Sequence, residues 1–169
     1  MVMTKEELIA SFQNEVRILL HLAGKVDRQK LDYRPTAKQR STLELLRYLV
    51  VMGPMMIRAI RAGAFDGAAW QAAVDEANAM DFDQVVAAIE KQHAAYAGLL
   101  AEFSDADFRA EIDLFGRGKV SRGSVIVNMV LAGCAAYRMQ LFLYLKACGR
   151  EELNTMNLWA GMDAPFPAA

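Results

Sequence analysis

Three stretches of this chain open with the same device. Thr4-Lys5-Glu6-Glu7, Ser41-Thr42-Leu43-Glu44 and Asp81-Phe82-Asp83-Gln84 each set a short polar side chain three residues before a Glu or Gln. This is a capping box: the first side chain accepts from the N3 amide while the Glu or Gln reaches back, so two orphan donors at a helix start are satisfied. Apolar residues at helical spacing follow each box. They are Leu8, Ile9, Phe12, Val16, Leu19, Leu20 and Ala23 in the first segment, and Leu45, Leu46, Tyr48, Leu49, Met52, Met56 and Ile57 in the second. In the third they are Phe82, Val85, Val86, Ile89, Tyr96, Leu99, Leu100 and Phe103. Gly24 and Gly63 stand where a left-handed residue would end the first two helices. A fourth helix is expected from Ser121 to Cys148, with Gly149 as its stop. From Val125 to Leu145 it is apolar nearly all round, which suits a bundle centre or a subunit interface.

The connections follow from what is left. Lys25 to Arg40, with Pro35, reads as a linker, and a short helix is expected near 68–77. Pro54 lies inside the second helix, where it removes one hydrogen bond and crowds the carbonyl of Val50, so a kink is expected. Glu111 to Gly123 reads as a loop, since its Gly116-Arg117-Gly118-Lys119 matches neither nucleotide-binding glycine pattern. The tail from Arg150 carries Leu153, Met156, Leu158, Trp159 and Phe166, and is expected to pack back on the bundle irregularly. A length of 169 residues suits a single domain, 1–169, with its own core. Four long helices and a long crossover make an all-α four-helix bundle the expected fold.

Charge excludes some functions. Nineteen Lys and Arg against twenty Asp and Glu leave a net charge of −1, and a general nucleic-acid binder needs a basic surface. The uncharged run from Gly123 to Tyr137 falls short of the roughly 20 apolar residues of a membrane span. The acidic, amphipathic start is unlike a signal peptide. A soluble, cytoplasmic protein with no membrane partner is therefore expected. Cys134 and Cys148, on one expected helix, stand roughly 21 Å apart at about 1.5 Å per residue, too far to bridge. They read as small buried hydrophobes, and Arg138 is the only nearby cation that would lower the pKa of Cys134.

Chemistry-bearing residues are scarce. The histidines are His21, on the polar stripe of the first helix and expected in solvent, and His93, placed by its spacing from Ile89 and Tyr96 on the buried stripe of the third. Glu90-Lys91-Gln92-His93 has the Glu-x-x-His spacing of dimetal bundles, but it occurs once and no matching buried carboxylates are expected on the other helices. No nucleophile elbow is present. Met52, Met55 and Met56 read as core filler.

Leu31-Asp32-Tyr33-Arg34-Pro35-Thr36, then Gln39-Arg40-Ser41-Thr42-Leu43-Glu44-Leu45-Leu46-Arg47-Tyr48-Leu49, resembles the linker and second helix of the DinB/YfiT-like superfamily. Tyr137-Arg138-Met139-Gln140-Leu141, Tyr144-Leu145-Lys146 and Gly149 resemble its fourth-helix signature. The resemblance implies an up-down-down-up four-helix bundle, commonly a homodimer, whose active members hold a divalent metal through three histidines. Carried onto this chain, those positions are Tyr48 in helix two and Gly133 and Tyr137 in helix four, so all three ligands are absent. The two tyrosines, if they converge as the family's histidines do, need hydroxyl partners, for which each other, Glu44, His93 or trapped water would serve.

These readings favour a metal-free, non-catalytic member of the fold with no cofactor, acting as a small-molecule binder or a dimeric interaction protein. The expected pocket is Tyr48, Gly133, Tyr137, His93, Glu44 and Met52. The alternative is a transferase- or isomerase-type enzyme that uses Tyr48, Tyr137 and His93 in that pocket. The surplus apolar surface of helix four makes a second copy of the chain the expected partner.

Overall fold

The computed structural model describes residues 3–163; Phe166 of the expected tail lies outside them. The four expected long helices form as α1 (Lys5–Ala23), α2 (Thr42–Ala62), α4 (Phe82–Ala101) and a continuous rod from Arg122 to Ala147. The rod is built from α6 (Arg122–Val125), a π-helical segment (Ile126–Leu131) and α7 (Ala132–Ala147). All three capping boxes are made as expected, and a fourth, Ser104 with Asp107, starts the short α5 (Asp105–Arg109). The short helix between α2 and α4 is α3 (Gly67–Asn78), capped by Asp66.

α4 packs against both α1 and α2, and the rod packs against both from the other side, so the four alternate round one core. Phe12, Leu22, Leu46, Ile57, Ile89 and Leu141 are among its fully buried side chains. α3 lies against α2 and carries the crossover to α4.

The loop expected at 111–123 contains a small antiparallel ladder, β1 (Glu111–Ile112) with β2 (Val120–Ser121). Gly116 and Gly118 lie in its turn with φ of 68° and 102°, which explains the glycines without a phosphate. The tail is less covered than its composition suggested: Leu153 and Leu158 are buried, but Trp159 is 65% exposed. Its π-helical turn, Met156–Ala160, docks on α1 through Arg17, which donates to the carbonyls of Ala160 and Gly161. This docking also corrects the position of His21, which is half-buried with Nε2 3.1 Å from the Asn157 amide nitrogen. Burial, more than its charged neighbours, pushes its pKa down.

Pro54 sits inside a helix that continues past it. The Val50 carbonyl, which loses its helical donor to the proline, is met by Nε2 of Gln92 on α4 at 2.9 Å, and the same nitrogen donates to Leu49. Gly53 beside it leaves a notch that the Tyr96 hydroxyl fills: a Cβ there would stand 1.9 Å from that oxygen.

By length and a mean hydropathy of 1.4, the rod is apolar enough to cross a membrane, a reach the uncharged run alone did not show because the helix continues beyond Arg138. Its inner face packs as a bundle helix does, with Ile126, Val130, Leu141 and Leu145 in the core. Its outer face exposes Met129, Ala132, Ala136, Met139 and Leu143, in alternating steps of three and four.

Candidate functional site

α2 carries Tyr48 and Met52 one turn apart, and α7 carries Gly133 and Tyr137 likewise, so each pair shares a helix face. The two faces meet. The Tyr48 and Tyr137 rings are edge to face, with centroids 5.0 Å apart and planes at 69°. A Cβ at Gly133 would lie 3.3 Å from the Met52 methyl, so the thioether arm takes up the room that the glycine leaves. On its other side the Tyr48 ring carries the Arg40 guanidinium, 3.9 Å from the centroid. Burial first, then the Tyr137 hydroxyl beside it, push Tyr48 up to about 12, so this phenol stays protonated at neutral pH.

Of the other two expected pocket residues, Glu44 stays beside Tyr48 on the same groove and His93 does not. Glu44 is held by its capping duty, with the Ser41 amide donating to Oε2 at 2.7 Å and Arg34 3.2 Å away. That amide chiefly, with the Arg34 charge, holds its carboxyl below the usual range. His93 is exposed on the outside of α4. The buried stripe there runs Val85, Ile89, Gln92, Tyr96, Leu100, so Gln92 takes the inward place three residues after Ile89 and turns His93 out.

Tyr48 opens onto a groove of about 510 Å³ between α2 and α3, lined also by Arg40, Glu44, Arg47, Val51, Trp70, Gln71 and Val74. Trp70 lies 6.3 Å from Tyr48, ring to ring, and 5.5 Å from Phe65, with Phe115 5.8 Å beyond. Aromatic rings therefore run without a break from Tyr137 to the hairpin. Arg47 is fixed by the Met80 carbonyl, to which both Nε and Nη2 donate. Sequence reasoning missed Trp70 and Arg47; an aromatic within a short, otherwise alanine-rich helix was the available signal.

A polar set that the sequence did not disclose joins α1, α7 and the tail. Arg138 is 4% exposed, with Nε 3.2 Å from Oε2 of Glu15 and Nη1 donating to the Leu158 carbonyl at 2.8 Å. Glu15 is thus a half-buried carboxylate on α1, where none was expected, and burial outweighs the arginine in raising its pKa. Arg138 is committed here and does not activate Cys134, whose thiol burial pushes up to about 12.

The resemblance puts a cation's ligands at Tyr48, Gly133 and Tyr137, and these residues do not suit one. Gly133 brings no donor, neutral phenols such as Tyr48 and Tyr137 are poor ligands for such ions, and the Met52 thioether lies in the gap. Among the described residues no three His, Cys, Asp or Glu side chains stand close enough together to hold a metal ion.

The sequence pattern of the DinB superfamily matches residues 12–131, which takes in Tyr48 and Met52 but stops short of Gly133 and Tyr137. No curated protein matches the chain. Among solved structures, the fold is similar to that of a DinB-like protein of Bacillus subtilis, YjoA, with a TM-score of 0.65 and 17% identity over 87% of this chain and 95% of that one. A shared pattern over most of the chain, on a bundle with the same arrangement, means that this protein belongs to the DinB superfamily.

Proposed function

We propose that this chain is a metal-free, non-catalytic DinB-type bundle that binds a small molecule in the groove at Tyr48. The observation that carries this reading is that Tyr48, whose ring packs on Tyr137, also lines a groove of about 510 Å³ between α2 and α3. That volume lies within the range of small-molecule sites, roughly 300–1,000 Å³. The enzyme alternative has less support, because His93 is exposed on α4 and does not line the groove at Tyr48.

Elemental analysis of the purified, untagged protein at known subunit concentration tests the proposal. Trace metal supports it. Near-stoichiometric Ni, Zn, Fe or Mn overturns it and returns the chain to the metalloenzymes of the family.

The partner we propose is a second copy. Met129, Ala132, Ala136, Met139 and Leu143 make an exposed apolar seam, and its small alanines allow close helix approach. The tail, docked on α1, leaves Leu143 56% exposed.

A further inference from the structure

The chemistry of the groove walls narrows what it takes, on the reading that it is a binding site. Glu44 is the one acidic residue among those lining it, and its carboxylate is already matched by the Ser41 amide and Arg34. Arg40 and Arg47 line the same groove, so the field inside is positive. Arg47 is preset by its two bonds to the Met80 carbonyl, and among the described residues its Nη1 group has no partner. A fixed guanidinium with donors to spare is suited to a planar, two-oxygen anion. Beside it stand the Tyr48 and Trp70 rings, at 64° to one another, with Val51, Val74 and Ala77 completing the apolar wall. Such a corner accepts a flat aromatic body, one ring meeting its face and the other its edge.

We propose that the groove binds a small aromatic carboxylate, its ring against Trp70 and Tyr48 and its carboxylate on Arg47, with Arg40 as the second cation at the mouth.

The test is titration of the full chain, followed by calorimetry and by backbone amide shifts, with three probes: 2-naphthoate, 2-naphthamide and cyclohexanecarboxylate. The expected result is saturable 2-naphthoate binding, at least tenfold tighter than either of the others, with shifts centred on Tyr48, Trp70 and Ala77. Arg47→Gln should weaken 2-naphthoate about tenfold and leave 2-naphthamide unchanged. Because that variant also loses the Met80 contact, Arg40→Gln is the second variant, and it should weaken 2-naphthoate severalfold. Equal binding of the amide, or indifference to both arginine variants, overturns the assignment of an anion while leaving the groove as a site. Equal binding of cyclohexanecarboxylate overturns the aromatic part. No probe shifting any groove amide overturns both this inference and the binding reading beneath it.

Discussion

Gln92 is the residue that lets α2 contain a proline, and this has a measurable price in stability. Pro54 has no N–H for the Val50 carbonyl, and Gln92 Nε2 replaces that donor at 2.9 Å. Gln92→Leu keeps the volume and removes the donor. Leu49 keeps the Gly53 amide that helix geometry provides, so the loss concentrates on Val50. An unsatisfied, part-buried carbonyl costs about 1.5 kcal/mol, or roughly 3–6 °C in Tm for a chain of this size. Pro54→Ala restores an amide to position 54, and with it a helical partner for Val50. In that background Gln92→Leu should cost less by about 1 kcal/mol, while the lost Tyr96–Gln92 contact is common to both arms and cancels. Urea unfolding of the four proteins measures the cycle. Additivity within about 0.5 kcal/mol would refute the reasoning, because it would mean that the two residues are not coupled.

Three further outcomes are expected. Gly53→Ala should destabilise despite its better helix propensity, since its Cβ would stand 1.9 Å from the Tyr96 hydroxyl, and Tyr96→Phe should recover much of the loss in a thermal melt. Burial raises the folded-state pKa of Glu15 above 4.5, so its contribution is present below that value and lost as pH rises through the folded pKa. The wild-type minus Glu15→Gln difference in unfolding free energy should therefore fall with pH above 4.5, and a flat difference would contradict the burial argument. Leu143→Asp should convert a particle of twice 18.7 kDa into one of 18.7 kDa by light scattering, without lowering the melting temperature of the subunit; a wild type already at the single mass ends the dimer proposal.

Local rules carried the helices. Thr4, Ser41 and Asp81 act on amides three residues away, so their boxes could be read directly and formed as expected. Tyr48 and Tyr137 could be brought together only through the family resemblance, and they do meet. His93 was misplaced because apolar spacing from Ile89 allows an inward residue at either three or four positions on. What chose Gln92 was a carbonyl left bare by Pro54 on another helix, a tertiary demand with no local signature. Glu15 was missed for the same reason: a charged residue in an amphipathic helix reads as exposed until its partner, Arg138, is known. The π-helical stretch before Gly133 leaves no mark in the hydrophobic period, and no cause for it is visible in the described contacts.

The Arg138 arrangement also sets an order in time. Glu15 leaves the ribosome before its counter-charge, 123 residues later in the chain, and the carbonyl of Leu158 that binds the same guanidinium follows later still. Until then the nascent chain holds a carboxylate that should stay in water, since burying it alone costs several kcal/mol. α2 and α4 can therefore pack on α1 during synthesis, with the Glu15 carboxylate still in water. The last docking, Leu158 onto Arg138 onto Glu15, makes completion of the bundle wait for the segment that carries Leu158. A chain stalled before Arg138 would be held open along the face of α1 that carries Glu15.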